Sequence, residues 1–456
     1  MYTYNLIRIF KSFICILVAT SSAMLLTFSA SAQQKTSLMQ VYYDAIKNDP
    51  TYLAKVANKR RDLTGLAEAK SHLLPTISAF ANRQQIEESL TAPQLPFVVQ
   101  GSTNYSRFAY GIEFSQVIFN RELFASYSGA KIQASIDQID LLSIHDELIL
   151  KVANAYFEIL SAEDAALLAN ANVETTSEHH DLISEQLKTG SATNADLQLS
   201  KARWLLAVAD QTIANNQHQI AMTNLAAITG KKYPQLQPIK EPDNLLSMLD
   251  STNNPELVIE GNLDYIRANL KSEIAKRSLI SAKAKRYPTV ELVMNYGEND
   301  NNGSLSGASS ESSNFTAMLQ ASIPIFQGGR TKSSISAAKH GLEAKQQELK
   351  GAKVNAIGNH STLISEVRAL HSRILALNLA SEASQLALDS KRKMYEAGVE
   401  DNLSILDAQR DAFQTRLDER KSFYEFLSKW LEYQNLLGAL TEKNLSQFVN
   451  TPSTRE

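Results

Sequence analysis

Cysteine is nearly absent: the 456 residues hold one, Cys15, inside an apolar run near the N-terminus. Beyond that run there is no disulfide, thiol nucleophile or thiolate metal site. Prolines and glycines are few, 11 and 17, which favours long uninterrupted elements. The formal charge is only −3, and no lysine/arginine run forms the basic patch that a nucleic-acid partner requires. There is no Walker loop, no dinucleotide fingerprint and no legible Ser–His–acid cluster. The residues thus point to no enzyme and to no cofactor. A mean hydropathy of −0.22 argues against a bundle of membrane helices. A hydrophobic content of 44% rules out a disordered chain.

What is present begins with the N-terminus. Arg8 and Lys11 precede an apolar stretch from Phe13 to Leu26, followed by Ala30-Ser31-Ala32. A charged start, an apolar middle and a small-x-small site read as a secretory signal peptide over residues 1–32. An N-terminal membrane anchor is the competing reading, and the run is short for it. Secretion without disulfides fits a bacterial envelope protein.

The rest of the chain is written twice. Asn48-Asp49-Pro50 recurs as Asn253-Asn254-Pro255, Ile118-Phe119 as Ile325-Phe326, Gly190 as Gly398 and Thr229-Gly230 as Leu437-Gly438, all at a spacing of about 205–208 residues. No proline falls between Pro96 and Pro234 or between Pro324 and Pro452. Both gaps carry helical periodicity. Ile149, Val152, Tyr156 and Ile159 mark the first; Val354, Ile357, Ile364, Val367, Ile374 and Leu377 form a coiled-coil stripe in the second. Gly190 and Gly398 divide the gaps into helical hairpins, and Thr193 and Asp401 stand where they can cap each second helix. A helix from Glu122 to Lys188 is roughly 100 Å long at 1.5 Å per residue. A cytoskeletal or tether-like coiled coil would use such helices too.

A strand pair precedes each hairpin. Phe108, Tyr110, Ile112 and Phe114 alternate with Arg107, Ala109, Gly111, Glu113 and Ser115. Val290, Leu292, Met294 and Tyr296 alternate in the same way, as do Phe315, Ala317, Leu319, Ala321 and Ile323. After Pro75 the pattern blurs, because Ile77 and Phe80 fall on opposite faces. Alternation alone suits a soluble sandwich. Combined with secretion and duplication, it suits apolar-out, polar-in membrane strands, which must close into a barrel. Four strands cannot close alone, so several copies must each give an arc. The polar connections Glu88 to Asn104 and Asn299 to Ser313 read as exposed loops facing outside the cell.

Several segments carry a resemblance. Leu38-Met39-Gln40-Val41-Tyr42, Asn48-Asp49-Pro50, Leu73-Leu74-Pro75, Ala155-Tyr156-Phe157, Ile228-Thr229-Gly230, Ile323-Pro324-Ile325-Phe326-Gln327-Gly328-Gly329 and Tyr395-Glu396-Ala397-Gly398 stand in the order seen in the TolC family. The chain resembles that family from about Leu38 to Leu440, and its members without a cleavage-site cysteine more than the lipid-anchored heavy-metal ones. The resemblance implies an α+β outer-membrane protein built from a duplicated strand-pair and hairpin unit. Three copies would form a 12-stranded barrel continued by a periplasmic α-helical coiled-coil tunnel. It implies an exit duct for drug efflux or type I secretion, docked to a periplasmic adaptor and an inner-membrane ABC or RND pump. The expected divisions are a first repeat over 33–240 (strands 76–118, hairpin 120–229) and a second over 241–440 (strands 289–325, hairpin 330–438). The linker from Lys231 to Asn254 is expected in an equatorial girdle, and a tail over 441–456 either in that girdle or disordered. A non-conducting envelope scaffold anchored in the outer membrane is the alternative function.

In the family the tunnel closes at the hairpin tips, here Gly190 and Gly398, where an adaptor would also make contact. Asp196 matches an acid that ties the tips together, and Tyr395 matches the tip tyrosine; a carboxylate accepting from a phenol is a charge-assisted bond. Asp196 can equally complete a capping box with Thr193. The family's pair of tip aspartates is reduced here to Asp407, with Ser404 at the other place, and the tip arginine is Glu400. Glu400 and Asp407 would still set two acids per chain at the mouth, although Asp407 also reads as a solvated acid near a helix start. Glu178-His179-His180-Asp181 invites a metal reading, but adjacent helical residues do not face one another.

Overall fold

The structure, a computed structural model, describes residues 35–90, 101–239, 255–304 and 308–447. The expected signal peptide, the centres of both strand-connecting loops, residues 240–254 of the linker and residues 448–456 of the tail lie outside the described residues. In chain order the elements are α1 (Leu38–Asn48), α2 (Pro50–Leu63), α3 (Gly65–Ser71), β1 (Thr76–Leu90), β2 (Gly101–Phe119), α4 (Arg121–Lys188) and α5 (Asn194–Thr229). The second half repeats them as α6 (Pro255–Gly261), α7 (Leu263–Ala284), β3 (Thr289–Asn301), β4 (Ser310–Ser322), α8 (Arg330–Glu396) and α9 (Asn402–Leu436), followed by α10 (Glu442–Gln447). At 68 and 67 residues, α4 and α8 are each about 100 Å long.

The strands form one antiparallel sheet in the order β1-β2-β3-β4. Opposed residues share a face, so the register tests the alternation. Ile77, Phe114, Met294 and Ala317 form one row across the four strands, and Ala79, Ile112, Tyr296 and Phe315 the next. The apolar faces of all four strands therefore coincide. Phe80 explains the blurred pattern of β1. It lies in the opposite row with Gly111 and Gly297, and a Cβ at Gly111 would come within 2.9 Å of its ring. The polar face thus keeps one aromatic, laid over two glycines that leave it room. At the end of β2 the register shifts between Val117 and Phe119, so that Phe119 opposes Val290. This bulge returns Phe119 to the apolar face.

One anchor of the duplication has to be corrected. Asn48-Asp49-Pro50 lies between α1 and α2, whereas Pro255 begins α6. The counterpart of Asp49 is Asn262. Each is the N-cap of the helix leading to a strand pair, and each stands equally far before its proline, Pro75 or Pro288. Both junctions lock onto the end of their own hairpin. Asn48 Nδ2 donates to Thr229 O (2.9 Å), and Asn262 Nδ2 donates to Leu436 O (3.2 Å). In the second junction the backbones nearly touch: a Cβ at Gly261 would sit 2.0 Å from Leu437 O. The Asn-Asx-Pro match is therefore no anchor of the duplication: Pro50 and Pro255 begin helices at two different places in the unit.

The core sits halfway down the long helices. Tyr42, Tyr156, Tyr433, Phe157 and Phe426 are all fully buried there, packed by α1, the middles of α4 and α8, the ends of α5 and α9, and α10. Parts of the linker and tail join this girdle. Thr36 bridges Leu236, the Tyr156 hydroxyl lies 2.7 Å from Gln237 O, and Leu440 and Leu445 are buried. Asp49, itself buried, caps α2 and takes an ion pair from Lys151 at 2.6 Å. Toward the sheet the two halves differ. The upper part of α4 packs against α2 and α3 on one side and α7 on the other. Among the described residues the upper part of α8 packs against α7 with no counterpart of α2 and α3 on its other side, and its first buried residue is Ala356. Val354, expected within the stripe, is therefore exposed in the single chain.

Candidate gate at the hairpin tips

Both long helices end in the same way. Ser191 N donates to Gln186 O (2.8 Å) and Gly190 N to Leu187 O (3.1 Å), while Val399 N donates to Met394 O (2.9 Å) and Gly398 N to Tyr395 O (2.8 Å). These are complete Schellman motifs. Gly190 and Gly398 have φ of +79° and +72° with open space where a Cβ would stand. Backbone conformation, not crowding, demands glycine there. The next helices start on the expected caps. Thr193 and Asp196 form a reciprocal capping box, and Asp401 accepts from Ser404 N.

These local motifs bring the tips side by side. Tyr395 donates its hydroxyl to Gln186 Oε1 at 2.6 Å. Asn402 donates Nδ2 to Asp196 O at 3.4 Å and is hydrogen-bonded through Oδ1 to His179 Nε2. Since an amide oxygen only accepts, His179 carries its proton on Nε2. Arg203 pairs with Asp407 at 2.9 Å. A small apolar cluster of Leu388, Ile405 and Ala412, with Tyr395 against it, backs these links. Desolvation pushes the His179 pKa below the usual 6.5, and the nearby Arg392 and His180 push it the same way, against the bond to Asn402.

The expected bond between Tyr395 and Asp196 is not formed within the chain. The Asp196 carboxylate is occupied by Thr193, whose hydroxyl (2.6 Å) and backbone N–H (3.0 Å) both donate to it. Those bonds hold the Asp196 carboxyl below its ordinary range. Burial pushes the Tyr395 phenol up, and the neighbouring Asp196 charge adds to it. The two acids at the second tip are not bare charges. Lys391 binds Glu400 at 2.9 Å and holds its carboxyl low, and Arg203 faces Asp407. His179 and His180 diverge, the latter toward Ser200 and Trp204. Among the described residues no group of acids, histidines or cysteines is placed to hold a metal.

Gln186, His179, Asn402, Lys391 and Arg203 were not anticipated as tip residues. One signal was available. Gln186–Tyr395, Asp196–Asn402 and Arg203–Asp407 each join residues separated by nearly the repeat spacing, because equivalent helices of the two hairpins lie side by side.

Residues 41–231 and 255–439 match the outer membrane efflux protein family. The chain belongs to that family. It is 24% identical over 430 residues to outer membrane protein TolC of Vibrio cholerae, covering 93% of this chain and 95% of that one. It is 23% identical over 428 residues to the alkaline protease secretion protein AprF of Pseudomonas aeruginosa, covering 92% and 89%. Among solved structures, a membrane protein from Pseudomonas aeruginosa superposes with a TM-score of 0.77 at 19% identity, covering 91% of this chain and 92% of that one. The protein is an outer-membrane efflux channel subunit and not an enzyme. The duplicated α+β unit expected from the sequence is the fold that it has.

Proposed function

We propose that three copies assemble into one conduit whose sheets close a 12-stranded barrel and whose hairpin tips form a periplasmic gate. The observation that carries this reading is the asymmetry between the halves. Ile118 and Phe119 are 50% and 39% exposed, but their counterparts Ile325 and Phe326 are 96% and 87% exposed. Within the chain, α7 covers one flank of α4. The equivalent flank of α8 lacks the equivalent helices, α2 and α3, which a second copy supplies. Among the described residues the sheet likewise ends in two unpaired edges, β1 and β4, which lipid does not tolerate. Each copy pairs its β4 with the next copy's β1.

The tips fit both gating and docking. Tyr395, His179 and Asn402 hold the hairpins together by neutral hydrogen bonds, Asp407 adds an ion pair to Arg203 of the other hairpin, and Asp196 and Glu400 keep their charges on local partners. Val399, Met394 and Leu403 stay exposed at the second tip. They offer an apolar contact for the helical hairpins of a periplasmic adaptor, itself bound to an inner-membrane ABC or RND pump. Native mass spectrometry of the detergent-purified protein checks the assembly: a trimer is expected, and a folded monomer alone would refute it. Planar bilayers separate the channel from a scaffold, since only a conduit gives unitary current steps.

A further inference from the structure

The two ends of the sheet carry opposite charge. At the loop end stand Glu87, Glu88, Glu298, Asp300 and Glu311 against Arg83 and Arg107. At the helix end, residues 63–75, 120–132, 276–288 and 323–335 hold ten lysines and arginines against two glutamates. That excess arises in a chain whose net charge is −3. No acidic residue occurs between Glu273 and Glu291, or between Glu311 and Glu343. Lys283 and Arg286 are exposed, and among the described residues neither has an acid within ion-pair distance. The solvated-surface explanation predicts mixed signs, which this collar lacks.

Its position relative to the apolar band is specific. Phe119 and Val290 end the lipid-facing rows. Immediately beyond, the Arg121 guanidinium lies 4.2 Å from the centre of the Tyr287 ring, and Lys131 lies 4.8 Å from that of Tyr127. Aromatic rings paired with cations are the chemistry of a headgroup layer. Between α4, α7 and α8 a cleft of about 360 Å³ is lined by Ser126, Ser278, Ser281, Ser334, Lys285 and Arg277. Arg277 Nε is buried without a protein acceptor among the described residues, which leaves this N–H a donor still to be satisfied. Serine hydroxyls, the Lys285 ammonium, which lies 3.6 Å from the half-exposed Glu122 carboxylate, and a guanidinium N–H without a protein acceptor are the donors that a phosphate monoanion takes.

We infer that this collar binds the phosphate headgroups of anionic phospholipids in the periplasm-facing leaflet, with one headgroup phosphate seated at Arg277 and Lys285. The inference rests on the outer-membrane placement of the sheet and not on the trimer or the gate. Lys276 and Lys285 are paired with Glu273 and Glu122, while Lys283 and Arg286 have no acid within ion-pair distance among the described residues. Each cation near an anionic leaflet contributes roughly fivefold in affinity, so a collar in which cations outnumber acids discriminates by lipid charge.

The full-length protein in mild detergent tests it. Thermal unfolding is followed with added phosphatidylglycerol, phosphatidylcholine or inorganic phosphate, at 0.05 and 0.5 M NaCl, and retained lipids are counted by native mass spectrometry. Phosphatidylglycerol should raise the midpoint by several degrees over phosphatidylcholine and be retained at least about threefold more, with the preference falling at high salt. Lys283→Gln with Arg286→Gln should reduce the preference severalfold, and Arg277→Gln should remove the most tightly retained lipid. Lys283→Arg should keep both. If the double variant does not fold, the Arg277→Gln and salt arms decide alone. Equal effects of the two lipids overturn the inference. So does a full shift with inorganic phosphate alone, or charge-dependent sedimentation with peptidoglycan in the absence of any lipid preference.

Discussion

The girdle and the hairpin tips are built from the same four helices but held by different forces. At the girdle α4 is covered on nearly every side: Leu148, Ile149, Val152, Ala153, Tyr156 and Phe157 are all buried. At the tips the apolar cluster is three residues, and the links are hydrogen bonds and ion pairs near the surface. Burial of large apolar groups is strong and indifferent to direction. Polar links are weaker and break one at a time. The gate proposed at the tips would need this division, a middle of fixed diameter and an end whose links can part.

The largest effect should come from the girdle. Phe157→Ala removes a fully buried ring and should cost about 3–5 kcal/mol, lowering the thermal midpoint and the yield of assembled protein. If Leu388→Ala at the tip lowers the midpoint as much, the contrast fails. Next, Tyr395→Phe removes one neutral hydrogen bond, about 1 kcal/mol. It should raise open probability about fivefold in a bilayer while leaving the unfolding midpoint in place. A shifted midpoint without a change in gating would make Tyr395 structural.

The third effect is a pH dependence. His179 has a lowered pKa in the hydrogen-bonded tip and regains about 6.5 when exposed. Its contribution is therefore fully present above pH 6.5 and is lost as pH falls through the lowered value. Asp196 and Glu400, held low by their partners, stay ionised across that window. Open probability should rise severalfold between pH 7.5 and 5, and His179→Gln should flatten the profile. A wild-type profile without slope rejects the role. The smallest effect belongs to the exposed pairs. Arg203–Asp407 has side chains 26% and 55% exposed, a setting worth under about 1 kcal/mol. Lys391→Gln should leave stability unchanged and shift reversal potentials toward cations by freeing Glu400. Unchanged selectivity would place Glu400 away from the ion path.

The legible parts of the gate were the local ones. Gly190 and Gly398, and the caps Thr193 and Asp401, follow from rules that act within a few residues, and the structure shows each in that role. Asp196 was legible in its local role as the second half of a capping box. The links of Tyr395 and Glu400 were not. Tyr395 had several acceptors within one repeat spacing, and Glu400 meets Lys391 only because the turn at Gly398 folds the chain back.

By itself the sequence determined two long hairpins, their turns and the alternating strands. All of these are written in short-range periodicity and in glycine and cap chemistry. The tertiary structure decided which face met which partner. It set Ile77 in the lipid-facing row and Phe80 over two glycines, left Val354 exposed, moved the repeat anchor from Asn253-Asn254 to Asn262, and paired Glu400 and Asp407 with cations. Periodicity tells that a face is apolar or a side chain charged. The choice among several chemically adequate neighbours is made only when the helices are laid side by side.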